Sequence, residues 1–412
     1  MKKSFKYSIK ANPETVRRAE GWLDLCRRLY NAALEQRVTA YRRNRISISR
    51  FAQDKELPAL KKEFPEFKEV GSGALQETLQ RLDKSYQDFF CRAKVWKPGG
   101  HKPGFPRFKS RNRYNSFTLK RAGWKLEGKH LIIKKVGRFK IRLSRPIEGT
   151  IKTITVCRTP VGCWFVSFSC DDVLTRPLPL TGKEVGIDVG CESFFTSSDG
   201  KVVENPRFFK RSEELLAMRQ RRKDRRKKGS NRRNKARILE AKAHAKISNQ
   251  RRDFQFKTAN HLLKSYDTIY IEKMKAWHGW RTLNKSMRDA SWFGFFTILR
   301  QKAEEAVARQ IVEVPAKNTS QICSGCGALV PKDLGVRIHS CPHCGLVIHR
   351  DLNASLNILR AGQALRNQFR ESRGISRGNA KVPINFHWSE SMAELGTLID
   401  ILAEPTMVAD LT

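Results

Sequence analysis

The stretch EVGIDVG, residues 184–190, decides how this chain is read. Val185, Gly186 and Ile187 make a short apolar strand that ends in one carboxylate, Asp188. Gly190 then frees the backbone to turn, and residues 193–200 read as the return strand with a tight turn at Asp199-Gly200. A carboxylate at the end of a buried strand is costly unless something cationic meets it. Asp188 therefore points to other acids that converge on it and to a cation held between them.

Two such acids lie downstream. Asp267-Thr268-Ile269-Tyr270-Ile271 is a clean strand that ends in Glu272, and RDLNASLNIL at 350–359 opens a helix with Asp351 in its first turn. Each has a plainer reading alone: a strand-edge charge for Glu272, a helix-favouring first-turn acid for Asp351. Together, three carboxylates from separate elements suit two Mg²⁺ ions set against a phosphodiester, since Mg²⁺ prefers hard oxygen ligands.

Between the second and third acids lie Cys323-Ser324-Gly325-Cys326 and Cys341-Pro342-His343-Cys344, each followed by a glycine, Gly327 and Gly345. Such knuckles turn both thiolates toward one cation, and four thiolates fill the tetrahedron of one structural Zn²⁺. The other six of the ten cysteines, Cys26, Cys91, Cys157, Cys163, Cys170 and Cys191, stand singly as small apolar residues.

The 412 residues carry a net charge of +41, which opposes compaction unless a polyanion neutralises it. Nucleic acid is the expected partner; a basic, merely solubilising surface is the plainer alternative. No segment has the ~20 apolar residues of a membrane span, and MKKSFKYSIK lacks the apolar run of a signal peptide. A cytoplasmic, nucleoid-associated protein is expected, with no membrane partner and a monomer as the favoured state.

Upstream, residues 4–10 alternate as a strand. Asn12-Pro13-Glu14 starts a helix that runs to about 43, and a second helix spans about 73–94. The loop 97–109 mixes Lys, Gly and Pro with Phe105 and Phe108; phosphate contact with base stacking, and a surface connector with both Phe in the core, stay open as readings. Short alternating segments at 116–119, 129–134, 138–143, 152–157 and 163–169 predict a small barrel or sandwich, which residues 4–10 join. Residues 205–252, with RQRRKDRRKKGSNRRNKAR at their centre, predict a basic helical hairpin broken at Gly229-Ser230-Asn231 and facing nucleic acid. Helix is expected over 290–308, with Trp292, Phe293, Phe296, Leu299 and Ala303 on one face, and strand over 311–314. Beyond about 370 the pattern decays, and 382–412 holds five acids with no Lys or Arg; a disordered tail is expected, with docking on a basic surface as the alternative.

The order GIDVG, YIEKM, double CxxC and HRDLNASLNI, with GFPRFKS at 104–110 and TSQICSGCG at 319–327, resembles the TnpB (OrfB) family over nearly the whole chain. These are transposon-encoded RNA-guided DNA endonucleases related to type V CRISPR effectors. The resemblance implies an α/β multidomain protein: a wedge β-barrel (1–11 and 95–176), an inserted helical recognition lobe (12–94), a RuvC-like nuclease of RNase H fold (177–318 and 346–370) and an inserted zinc ribbon (319–345), then the acidic tail (371–412). It implies cutting of double-stranded DNA beside a short flanking motif, with Asp188, Glu272 and Asp351 as the Mg²⁺-binding triad, Arg337 beside it, and guide RNA as partner and cofactor. Nucleic-acid contacts are expected from Gln76, Arg107, Lys109, Arg221, Arg222, Arg225, Arg226, Arg232 and Arg233. One departure is His349, where the family often has an acid two residues before its last Asp. A nuclease-dead relative would lose triad acids, all of which stand here; a sugar kinase would need a second glycine-rich loop, which is absent; a transposase would need transposon-end recognition that nothing identifies.

Overall fold

A computed structural model describes residues 1–97, 99–274, 281–333 and 335–371. The chain divides into two compact units, Met1–Leu174 and Thr175–Thr412. Among the described residues, no helix is long and apolar enough to cross a membrane.

The first unit runs β1 (Lys3–Lys10), α1 (Pro13–Asn44), α2 (Arg50–Glu63), α3 (Ser72–Lys94), β2 (Ser116–Leu119), β3 (Trp124–Glu127), β4 (His130–Ile133), β5 (Gly137–Arg142), β6 (Thr150–Arg158) and β7 (Trp164–Asp171). Asn12 caps α1 as its sequence predicts: Oδ1 accepts the Thr15 amide at 2.8 Å. The helices are inserted between β1 and the other strands, because β1 lies in the middle of the sheet order β2-β6-β7-β1-β5-β4-β3. Every neighbouring pair in this sheet is antiparallel. The sheet is strongly curled. Trp124 on β3 touches Phe168 on β7 with ring centroids 6.4 Å apart, although a flat sheet would separate strands four places apart by about 19 Å. Helices and sheet share one core, as the Trp22–Phe117 contact at 5.3 Å illustrates.

Two elements of this unit carry no clear sequence signal. Helix α2 has Pro58 inside it and buries only Gln53 and Leu57, so its apolar periodicity is faint. Strand β3 is four residues long and buries none of them fully. On α3, Leu75, Leu79 and Leu82 are buried as expected, but Phe90 is exposed. Phe105 and Phe108 are both exposed, which removes the reading that tucks them into the core. Phe105 instead meets Tyr86 and Phe89 edge-on, at 5.4 and 5.2 Å.

The second unit runs β8 (Glu184–Asp188), β9 (Ser193–Ser197), β10 (Val202–Glu204), α4 (Phe208–Arg211), α5 (Glu213–Asp224), α6 (Asn231–Ser265), β11 (Thr268–Glu272), α7 (Arg281–Ala290), α8 (Trp292–Ala306), β12 (Gln310–Val314), β13 (Ile338–Ser340), β14 (Val347–His349) and α9 (Arg350–Glu371). Its five-stranded sheet has the order β10-β9-β8-β11-β12. The EVGID strand is therefore central. It pairs antiparallel with β9 and parallel with β11, which pairs parallel with β12.

Strand alternation sorts the side chains onto two faces. Val185, Ile187, Ile269 and Ile271 pack with α6 and α8 residues such as Leu262, Phe295 and Leu299. Gly186 and Tyr270 turn to the other face, where α9 lies. A Cβ on Gly186 would sit 2.3 Å from the Ser355 carbonyl, and one on Gly362 would sit 1.9 Å from the Tyr270 ring. The glycine that matters in EVGIDVG is thus Gly186, which lets α9 press onto the sheet. Gly190 has no positive φ, and a Cβ there would meet only ordinary contacts.

Two details of the helices depart from their patterns. The expected 290–308 helix spans Trp292–Ala306, beginning after Ser291, whose φ is 56°, and it buries Phe295 while Phe293 is exposed. An all-apolar WFGFF run does not reveal its inner face. The basic hairpin forms as α5 and α6 and breaks at Gly229, but it buries Leu216, Ala236, Ala243 and Ile247 while Leu215, Met218 and Leu239 are exposed. The expectation for the acidic tail falls, from residue 372 onward, outside the described residues.

Candidate active site and metal centre

The parallel register β8–β11 pairs Glu184 with Thr268 and Ile187 with Ile271. One step further along both strands stand Asp188 and Glu272, on neighbouring strands about 4.8 Å apart and on the face that α9 covers. Helix α9 supplies Asp351 from its first turn. The Oδ2 atom of Asp351 comes within 3.7 Å of the position a Cβ on Gly190 would take. The three sequence-predicted acids, from positions far apart in the chain, thus meet at one end of the sheet.

Their electrostatics agree with that meeting. The Asp188 carboxyl is pushed well above its ordinary 3.8, first by burial and then by the negative charges of Glu272 and Asp351. Part of its surface still reaches solvent, so dense surroundings rather than full enclosure cause the desolvation. The nearby Arg350 charge and the Val189 amide pull in the opposite direction and do not prevail. Glu272 is also raised, by burial, against a hydrogen bond from the Thr319 hydroxyl to its Oε1. Asp351 is buried in the first turn of α9. Its amide donates to His349 Nδ1 at 3.3 Å, so the residue that departs from the family pattern caps α9.

Arg337 reaches the same end of the sheet from the segment before β13. Its Nε lies 3.1 Å from Glu192 Oε2 in the β8–β9 loop, and its carbonyl accepts the Arg350 amide at 2.7 Å.

The four cysteines form a closed group. All four sulfurs lie within 4.8 Å of one another, with Cys323–Cys344 and Cys326–Cys341 both at 3.6 Å. Zn–S bonds of about 2.3 Å in a tetrahedron would set sulfurs ~3.8 Å apart, so the donor set fits one Zn²⁺. The two knuckles repeat one backbone pattern. Cys323 N donates to Ala328 O and Gly327 N to Cys323 O, while Cys341 N donates to Leu346 O and Gly345 N to Cys341 O. Gly327 and Gly345 take φ values of 81° and 72°, which favour glycine. Among the described residues this is the one group of three or more His, Cys, Asp or Glu side chains gathered so tightly. The three carboxylates are electrostatically coupled but more open.

Several residues at this end of the sheet escape sequence reading. Asn353 Oδ1 accepts the Ser324 amide at 2.8 Å, and its Nδ2 donates to Ile322 O at 2.7 Å. Asn357 Nδ2 donates to the carbonyls of Thr319 and Ile322 at 2.9 and 2.7 Å. Arg360 donates to the Ser324 carbonyl. Residues 353, 357 and 360 share one helical face, and that spacing is the only signal the sequence offers.

The expected nucleic-acid residues scatter over both units. Gln76 is exposed on α3, and Arg107 is exposed in the loop. Lys109 is held at its backbone by Asn31, which accepts its amide at 2.8 Å and donates to its carbonyl at 3.0 Å. Arg221, Arg222, Arg225, Arg226 and Arg232 are exposed on the hairpin. Arg233 differs. It is partly buried, donates to the carbonyls of Lys223 and Arg226 at 3.0 and 2.9 Å, and so ties the hairpin together. A cavity of about 190 Å³ between α5 and α6 is lined by Leu215, Met218, Arg219, Arg222, Ala236 and Leu239.

Residues 166–278 match the OrfB family described as a probable transposase, and residues 292–358 match a Cas12f1-like TNB domain. Residues 1–45 match a helix-turn-helix domain, although here they form one strand and one unbroken helix. A putative RNA-guided DNA endonuclease of Streptomyces pristinaespiralis is 33% identical over 374 residues, covering 88% of this chain and 90% of that one. This chain belongs to the TnpB (OrfB) family. On that membership it is a nuclease. A second TnpB relative, the putative RNA-guided DNA endonuclease InsQ of Escherichia coli K12, is 29% identical over 320 residues, covering 72% of this chain and 76% of its own. Among solved structures, the mini-RNA-guided endonuclease CRISPR-Cas_phi3 aligns with a TM-score of 0.45 and 10% identity, over 88% of this chain and 92% of that one.

Proposed function

We propose that the protein is an RNA-guided endonuclease that cuts double-stranded DNA beside a short flanking motif, at a RuvC-like Asp188–Glu272–Asp351 centre. The observation that carries this reading is the convergence of three carboxylates, Asp188, Glu272 and Asp351, from two strands and a helix at one end of the sheet, where burial and the two neighbouring acids raise Asp188 despite the Arg350 charge nearby. The donor set is all hard oxygen and its spacing is open, which suits two Mg²⁺ ions that keep water ligands. Such ions supply an activated water and charge stabilisation at the leaving oxygen.

The sheet order β10-β9-β8-β11-β12, in which β9 alone runs against the other four strands, supports an RNase H fold with α9 as the helix that brings the last acid. We read the curled sheet with residues 1–11 and 95–176 as the wedge, 12–94 as a recognition lobe, and 319–345 as a zinc ribbon inserted ahead of α9. The chain's own residues would divide the work. The carboxylates would hold the metal ions, the α9 N-terminus would favour an anionic phosphate nearby, and Arg337, paired with Glu192 at 3.1 Å, would offer a further positive group. The exposed hairpin arginines, with Gln76, Arg107 and Lys109, would neutralise phosphates of guide RNA and target, making binding steeply salt-dependent.

The test is to purify the protein, sequence the RNA that comes with it, and offer Mg²⁺ with a duplex matching that RNA. Cutting is expected only at the matched duplex carrying the flanking motif. Absence of any co-purifying RNA, or cutting blind to its sequence, would contradict the proposal.

A further inference from the structure

Thr319 stands where the cysteine knuckle meets the carboxylates. Its side chain is buried, and its single hydroxyl proton goes to Glu272 Oε1. Its carbonyl is fixed by Asn357 Nδ2 at 2.9 Å, and the same Nδ2 donates to Ile322 O at 2.7 Å, one residue before Cys323. Asn353, fully buried, bridges the Ser324 amide and the Ile322 carbonyl. Arg360 closes on the Ser324 carbonyl from the next turn of the helix. A continuous set of hydrogen bonds therefore runs from the first cysteine knuckle, through one face of α9, to one oxygen of Glu272. The same helix presents Asp351 from its first turn.

A carboxylate at a strand end can swing about its side-chain torsions. Divalent affinity depends on the ligand oxygens being held in place, and outer hydrogen-bond partners do this at metal sites generally. Among the described residues, the partner of the Glu272 carboxylate from outside its own strand is Thr319, and Asn357 ties Thr319 to the residue before the first cysteine.

We propose that Thr319 is a positioning residue that orients Glu272 for divalent-ion binding, and that the clamp by Asn353, Asn357 and Arg360 makes the cysteine knuckle the anchor of that orientation. The inference rests on the carboxylate centre proposed above. It gives the knuckle a role beyond folding its own segment: an intact knuckle sets the affinity of the carboxylate centre.

The test uses the full-length, zinc-loaded chain with its bound RNA and Mn²⁺ as the probe, followed by EPR of free Mn²⁺. Binding to the carboxylates is the part lost in Asp188→Ala, which separates it from Mn²⁺ on RNA. Thr319→Val keeps size and removes the hydroxyl. It is expected to weaken the Asp188-dependent binding about tenfold with zinc content unchanged, and Thr319→Ser is expected to restore it. Asn357→Ala leaves the Thr319 hydroxyl in place and is expected to weaken binding in the same direction, by less. Thr319→Val affinity within twofold of wild type overturns the positioning role, and unchanged affinity in Asn357→Ala overturns the anchor on the knuckle. If Asp188→Ala removes no Mn²⁺ binding, the carboxylate centre itself falls, and this inference with it.

Discussion

The four cysteines come from two short segments, 323–326 and 341–344, whereas the three acids come from β8, β11 and the start of α9. The cysteines sit within 4.8 Å of one another, on knuckles whose backbone bonds are internal to each loop. The acids depend on strand register, on strand alternation and on a helix pressed against the sheet. One centre is closed and locally encoded; the other is open and assembled by the whole fold. A structural ion needs four ligands and no access, while chemistry at a phosphodiester needs coordination positions left free.

Breaking the closed centre should have the largest effect. Structural zinc in small knuckle domains contributes on the order of 10 kcal/mol to folding. Replacing Cys323 and Cys326 by Ser is expected to release the zinc and unfold the segment around the knuckles. Metal analysis and proteolysis of the purified variant check this, and unchanged zinc content would refute the assignment.

Disturbing the packing that assembles the open centre comes next. Gly186→Val puts a side chain where the Ser355 carbonyl and Leu359 backbone already lie. A loss of 3 kcal/mol or more is expected, because rigid backbone, not a side-chain tip, must move, and overpacking alone costs about 1–3 kcal/mol. Chemical denaturation measures it. Nuclease activity should fall further than zinc content, since α9 carries Asp351 while the knuckle bonds are local.

The smallest effect has the opposite sign. Asp188 is destabilising where it is charged, because burial and two like charges raise its carboxyl above 3.8. For an acid whose folded-state value is raised, this cost is fully present above that value and vanishes as the pH falls below the unfolded one. Asp188→Asn should therefore stabilise the protein in EDTA at neutral pH by about 0.5–2 kcal/mol, as removal of strained functional groups often does. The gain should disappear below about pH 3.8 and shrink when Mg²⁺ is added at neutral pH. Thermal melts at several pH values check the sign.

The same contrast explains what the sequence made legible. The cysteine spacing can be read directly, and the strand ends carrying Asp188 and Glu272 stand out as apolar runs ending in an acid. Asn12 with Pro13 announces α1 because capping is local chemistry. The connections between distant elements are not legible. Thr319, Asn353 and Asn357 read as ordinary polar residues until the fold brings them to Glu272 and the first knuckle. Gly186 matters, more than Gly190, because α9 returns onto β8 from far along the chain. Arg233 reads as one more phosphate contact in a basic run, yet it holds the turn of the hairpin. Helix α2 is hidden by Pro58 and by an inner face of only Gln53 and Leu57, while Phe51 is exposed.

The central claim is that the three acids act as one metal-dependent cutting centre. Its most direct test replaces Asp188, Glu272 and Asp351 singly by Ala in the RNA-loaded protein and measures Mg²⁺-dependent cutting and binding of a guide-matched duplex side by side. The account predicts that each variant loses cutting while binding stays within a few-fold of wild type. A variant that cuts at the wild-type rate would remove its acid from the centre, and cutting by Asp188→Ala would contradict the account outright.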